Sequence, residues 1–223
     1  MTLGRVLFLL LLCSTTIISC KEDENKNLIG GDLGLRLLFE HSYAGAIEAV
    51  FEQPDTEEQL QALKVFIAPL DYSDESQTRK PADVVIEEQL RRYYDPKGNI
   101  YTGTIPIVIR YRTEICKSIK LSLFDKNDTF LFDITDEARF SDKCFIYREF
   151  PICFLFNSQK KLLGKIENGM TITEYLSYDP LIFTETHFVF PGLDKTIFEG
   201  NYVKIEIELE EGKILTTKCG NNP

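Results

Sequence analysis

Five cysteines stand where thiol chemistry could matter: Cys20 near the N-terminus, and Cys116, Cys144, Cys153 and Cys219 in the body of the chain. A thiol can carry a lipid, close a disulfide, bind a metal or act as a nucleophile. A metal site is disfavoured, because no Cys-x-x-Cys occurs and no histidine adjoins any cysteine. The two histidines, His41 and His187, belong to no zinc-binding helical motif. His187 lies in the strand-like run Thr186-His187-Phe188-Val189, where a packed ring is expected rather than a general base. No Gly-x-Ser-x-Gly elbow, phosphate-binding glycine loop or dinucleotide fingerprint occurs. Glu206 and Glu208 could imitate a glycosidase pair. Their alternation with apolar residues points instead to the wet face of a sheet. Asp125-Lys126-Asn127-Asp128-Thr129 has a faint calcium-loop look but lacks the required glycine and the later glutamate, so a hairpin turn is expected. No catalytic residue, metal ligand or cofactor is assigned.

The N-terminus offers a different chemistry. Arg5 precedes the apolar run Val6-Leu7-Phe8-Leu9-Leu10-Leu11-Leu12, and Ile17-Ile18-Ser19-Cys20 follows. The run is far shorter than the roughly 20 residues a membrane span needs. This arrangement resembles a bacterial lipoprotein signal. The resemblance implies that residues 1–19 are a signal peptide and that Cys20 is the lipid attachment point at the head of the mature chain. Cys13 follows bulky Leu12 and fits the motif poorly. Lys21-Glu22-Asp23-Glu24 resembles the export signal of Bacteroidetes lipoproteins, which implies an outer-membrane address, facing the cell surface. One acyl chain holds a protein only marginally. Lipoproteins of this kind carry several chains, palmitate among them, on one cysteine.

An exported chain meets an oxidising compartment, so the four remaining cysteines invite a disulfide reading. Cys144-Phe145-Ile146-Tyr147 and Ile152-Cys153-Phe154-Leu155 read as two strands about a turn at Arg148-Glu149-Phe150-Pro151. Folding there sets Cys144 opposite Cys153, within disulfide reach in the closer type of cross-strand pair. Cys116 and Cys219 would then close a long loop. The alternative is buried free thiols acting as small hydrophobes.

Cleavage before Cys20 removes nineteen of the 223 residues and, with Arg5, one of 25 basic side chains, leaving 204 residues and a net charge of −11. That length supports a sizeable core. The acidity repels nucleic acid and anionic headgroups, so nucleic acid is not an expected partner.

Residues 20–32 read as a polar tether and residues 33–223 as a single β-rich domain. Leu35, Leu38 and Phe39 suggest a helical face, and Ala46 to Phe51 is ambiguous between helix and strand. Asp55 or Thr56 could cap a helix carrying Leu60, Leu63 and Ile67 and ending at Pro69. A second helix is expected over 81–94, with Pro81 in its first turn and Ile86, Leu90 and Tyr93 on one face. Beyond the turn at 95–99 the pattern becomes strands: 105–109, 119–123, 130–134, 183–190, 202–209 and 214–218. In 202–209, Val203, Ile205, Ile207 and Leu209 alternate with Lys204, Glu206 and Glu208. The fold expected is mainly β. It is an antiparallel β-sandwich, with an immunoglobulin-like arrangement open to it, and one or two helices in the N-terminal half. An α+β fold is the alternative.

The chain has ten tyrosines and sixteen phenylalanines but no tryptophan. Tyr93, Tyr94 and Tyr101 cluster beside the 95–99 turn and could stack a sugar ring, although core and rim packing is the stronger reading. Signal and β-rich character together resemble the small lipoproteins common in Bacteroidetes. The function expected is a lipid-anchored envelope binding or interaction module without catalytic activity. Its membrane contact is the anchor, and its partner is an envelope protein, a glycan or a host surface. The rival is an envelope hydrolase acting on polysaccharide or peptidoglycan through acidic side chains.

Overall fold

The computed structural model describes residues 35–52, 62–70, 81–94, 105–141 and 153–220, with backbone alone at 35–36 and 105–107. The signal segment, Cys20, the tether, the expected cap at 55–56, the turns at 95–99 and 148–151, Tyr101 and Cys144 lie outside these residues. The strands are β1 (Leu35–His41), β2 (Ala44–Glu52), β3 (Ala62–Pro69), β4 (Ile105–Tyr111), β5 (Cys116–Phe124), β6 (Phe130–Asp133), β7 (Arg139–Ser141), β8 (Phe154–Phe156), β9 (Leu162–Lys165), β10 (Glu185–Val189), β11 (Tyr202–Leu209) and β12 (Ile214–Gly220). The helices are α1 (Val84–Tyr94) and α2 (Ile172–Ser177). Neither is long and apolar enough to cross a membrane.

The chain divides into two units, one of residues 1–38 and 98–108, the other of 39–97 and 109–223. In the first, the described residues belong to β1 and β4, which pair as a two-stranded sheet. The second holds two four-stranded sheets, in the orders β2-β3-β10-β7 and β12-β11-β5-β6, and the β8-β9 hairpin. The pairings within both four-stranded sheets are antiparallel. The fold is therefore mainly β, as expected.

One core joins the two larger sheets. Ile47, Leu63, Val65, Ile67, Phe140 and Phe188 come from the first, and Ile119, Leu121, Leu123, Val203, Ile205 and Ile207 from the second. The alternation read in β11 is the physical cause: its even-numbered side chains meet water while Val203, Ile205, Ile207 and Leu209 are buried. Each such fully buried aliphatic side chain contributes about 1.5–3 kcal/mol.

Helix α1 forms where the spacing of apolar residues places it, but it begins at Val84, so Pro81 lies ahead of its first turn rather than in it. Asp83 Oδ1 accepts the Ile86 N–H at 3.3 Å, capping its first turn. The buried face is Ile86, Leu90 and Tyr94, with Tyr93 turned outward. The earlier helix is overturned over residues 62–69, which form strand β3. Leu63 and Ile67 fit a helical spacing, but β-branched Val65 between them completes a period of two, and β2 and β10 flank the strand on either side. The helical reading of 35–39 is likewise corrected to strand β1, and 46–51 lies in β2.

The Cys116–Cys219 disulfide is also corrected. Cys116 stands opposite Leu209 on β11, whereas Cys219 stands opposite Val203. Six residues of extended strand separate those levels, roughly 20 Å, and a disulfide needs Cα atoms within about 7 Å. Both are buried free thiols. Cys153 is also a thiol, donating to the Glu185 carbonyl, while its expected partner Cys144 lies outside the described residues.

Candidate functional site

The second sheet ends in a short strand, β6, that no other strand pairs on its far side among the described residues. In β6, Phe130 is 53% exposed, Leu131 41% and Phe132 40%, and Asp133 is exposed too. A half-buried strand hides every second residue, and this one hides none. Its register explains how. Phe132 pairs with Leu123 and Phe130 with Phe124, so Leu131 is an extra residue in a β-bulge. The bulge puts Phe130 with Phe124 on the sheet's outer face. Phe132 is put with Leu123 on the inner one, at a rim where it stays 40% exposed.

The turn before β6 is built by Asp125. Its Oδ1 accepts the N–H groups of Asn127 and Thr129, both at 2.8 Å. The Thr129 N–H, followed by the other bonds at this turn, holds the Asp125 carboxyl below its usual pKa. The acidic segment is thus a hairpin turn that consumes its own acceptors. Asp128 takes a left-handed conformation, φ 63°. Its carboxylate accepts from Lys218 Nζ at 2.6 Å and from the Tyr202 hydroxyl. Those two bonds, the lysine's first, lower the Asp128 pKa, and the bond to Asp128 raises that of Lys218.

An aromatic ladder runs from this turn across the outer face. Tyr202 stacks on Phe124, centroids 5.3 Å apart and planes within 5°. Phe124 meets Phe130 edge-on at 5.7 Å and 74°. Lys218 Nζ lies 4.7 Å from the Tyr202 ring centre, a cation–π contact. With Lys218 on one side and Phe124 on the other, Tyr202 is fixed in place. The apolar side chains of this edge that stay exposed are Phe130, Leu131 and Phe132.

No protein-family model matches this chain, no curated protein is detectably similar to it, and no solved structure matches its fold. The chemistry of its surfaces therefore carries the functional reading.

The other sheet presents a shallow hollow of about 410 Å³, lined by Glu48, Ala49, Val50, Lys64, Phe66 and Glu185. Lys64 Nζ lies 3.1 Å from Glu185 Oε1, and with Glu48 the lining carries one more carboxylate than ammonium. Beside Lys64 in the ladder, His187 Nε2 lies 3.2 Å from Glu52 Oε1. The ring of His187 is buried, a packed position of the kind its strand context predicts.

His41 serves a polar pin at the start of α1. Its Nδ1 donates to the Pro81 carbonyl at 2.8 Å, and Nε2 lies 2.9 Å from Thr113 Oγ1. The ring stacks on Tyr111 at 4.7 Å. The Tyr111 hydroxyl accepts the Asp83 N–H at 2.8 Å and donates to Glu87 Oε1 at 2.9 Å. Burial, partly offset by the Asp83 N–H and reinforced by Glu87, pushes the phenol's pKa upward, away from any role as a base.

The remaining candidates sort plainly. Glu206 and Glu208 stand two residues apart on the open outer face of β11, Glu206 2.9 Å from Lys204 Nζ and Glu208 accepting from Ser118 Oγ at 3.3 Å. Burial pushes the Cys116 thiol up to about 12 and raises that of Cys219, so neither is a nucleophile near neutrality. Among the described residues, no three His, Cys, Asp or Glu side chains gather as a metal site requires. Tyr93 and Tyr94 pack edge-on against Phe154, at 5.2 and 5.7 Å, with Tyr94 buried. That pair braces α1 on the β8-β9 hairpin.

Sequence reasoning missed two features. Arg112 is buried, donating to the carbonyls of Ile67 at 2.9 Å and Tyr111 at 3.2 Å. It borders a cavity of about 20 Å³, room for one water. Nothing local in the sequence marks this arginine as internal. Helix α2 was legible: Thr171 and Glu174 form a capping box, a spacing visible in the sequence itself.

Proposed function

We propose that this chain is a lipid-anchored binding module of the bacterial cell envelope. Cys20 carries the lipid, the address is the outer membrane with the domain facing the cell surface, and the protein acts by binding rather than catalysis. The observation that supports the binding reading is the exposed run Phe130-Leu131-Phe132 on a terminal strand. Soluble proteins avoid such edges, because apolar side chains and open backbone groups invite association. A cost of that kind is kept where a partner covers it. The resemblance at residues 17–24 supports the anchor and the address.

The test has two arms. Cys20→Ser should move the chain from the membrane fraction to the soluble one and abolish incorporation of labelled palmitate. Retention of label would remove the lipid reading. In the second arm, the full chain in mild detergent is used as bait on envelope protein and glycan from the producing cell. A specific partner should be captured by the wild type and lost with Phe130→Ser/Phe132→Ser. Equal capture by that variant would move the binding surface elsewhere.

A further inference from the structure

We infer that the occupant of this edge is an extended polypeptide segment of another protein, apolar in its middle and basic at one end, added to β6 as a further strand of the sheet. The inference rests on reading β6 as the binding surface. Three observations carry it beyond that reading.

β6 is the terminal strand in the order β12-β11-β5-β6, so one side of its backbone has no strand partner among the described residues. Backbone N–H and C=O groups at strand spacing are matched by another strand and poorly by a sugar. The bulge then distributes the apolar side chains over both faces, Phe130 outside and Phe132 inside. A ligand lying flat on one face would cover only one of them. A strand running along the edge, with side chains alternating between faces, meets both.

Charge selects among strands. Exposed Asp133 closes β6 and exposed Asp136 and Glu137 follow it, with Arg139 nearby donating to backbone carbonyls. At the other end Asp125 and Lys126 offset one another, and Asp128 is paired with Lys218. The acidic end therefore asks for lysine or arginine in the partner segment. A second copy of the mature chain brings a net charge of −11 against the same charge, which opposes self-pairing.

The experiment uses the full chain in mild detergent and a fluorescent synthetic peptide of alternating Val and Tyr ending in Lys-Arg. Saturable anisotropy change is expected. Methylating the alternate backbone nitrogens that face β6 should weaken binding about tenfold or more, because a ladder bond is worth about 1 kcal/mol net. The charge reversal Asp136→Lys/Glu137→Lys, confined to exposed positions, should weaken the Lys-Arg peptide and strengthen its Asp-Glu counterpart. Equal binding of the methylated peptide, or no change on charge reversal, overturns the inference. So does absence of peptide binding while Phe130-dependent capture of a glycan persists, which would spare the binding-module reading. Dimerisation in sedimentation that is lost with Phe132→Lys would assign the edge to a second copy and overturn it too. If neither peptide nor envelope material binds, both readings fall together.

Discussion

Replacing Tyr111 with phenylalanine removes one oxygen atom and two hydrogen bonds while leaving the buried ring stacked on His41. The first lost bond is the one accepted from the Asp83 N–H at 2.8 Å, at the start of α1. Such a neutral bond is worth about 1 kcal/mol. The second is donated to the Glu87 carboxylate at 2.9 Å. Bonds to charged groups are worth about 1.5–3 kcal/mol, and half-exposed Glu87 recovers part of that from water. The expected loss is therefore about 2–3 kcal/mol, with no cavity contribution. Urea unfolding reads it directly: the midpoint should fall while the slope stays constant, because the surface exposed on unfolding is unchanged. A cycle with Glu87→Ala should return a coupling of about 1 kcal/mol between the two positions. A loss below about 0.5 kcal/mol, or no coupling, would refute the view that this hydroxyl pins the helix.

Three further outcomes follow from the same geometry. Burial alone would raise the Asp83 carboxyl, but the Lys160 ammonium at 2.6 Å and the Ile86 N–H hold it below its ordinary 3.8. Its contribution is therefore full above pH 3.8 and lost as the pH falls through the lower folded value. Asp83→Asn should flatten the acid side of the stability curve, and an unchanged slope would count against the assignment. A Cβ on Gly45 would lie 2.5 Å from Leu70 Cα and 2.6 Å from the Pro69 oxygen, both backbone atoms that cannot yield. Gly45→Ala should cost about 1–3 kcal/mol in thermal or urea unfolding, and wild-type stability would contradict this close approach. Cys116 and Cys219 should resist alkylation at neutral pH in the folded chain and react fully in denaturant without reductant. Failure to react after unfolding would mean a disulfide, and would break the β5-β11-β12 register.

The elements legible from residue order alone are those whose two faces meet different surroundings. β11 was legible because Val203, Ile205, Ile207 and Leu209 face a core and the residues between them face water. Helix α1 was legible for the same reason at the helical period, although the last buried position went to Tyr94 rather than Tyr93. Polarity patterning failed where both faces are alike. β3 is central, its outer face is itself half-buried, and its apolar residues fit a helix as well as a strand until β2 and β10 flank it. β6 fails in the opposite sense. Phe130-Leu131-Phe132 reads as a strand with nothing to say which of its faces is covered, and only the order of strands makes it an edge. The thiols taught the same lesson, since an even count invites pairing while strand register fixes distance. Cys116 and Cys219 share a sheet but lie at its two ends. Local patterning reports what a residue prefers, and tertiary structure decides what lies beside it. The anchor proposed at Cys20 rests on sequence alone, whereas the exposed edge proposed as a binding surface exists only once the sheet is assembled.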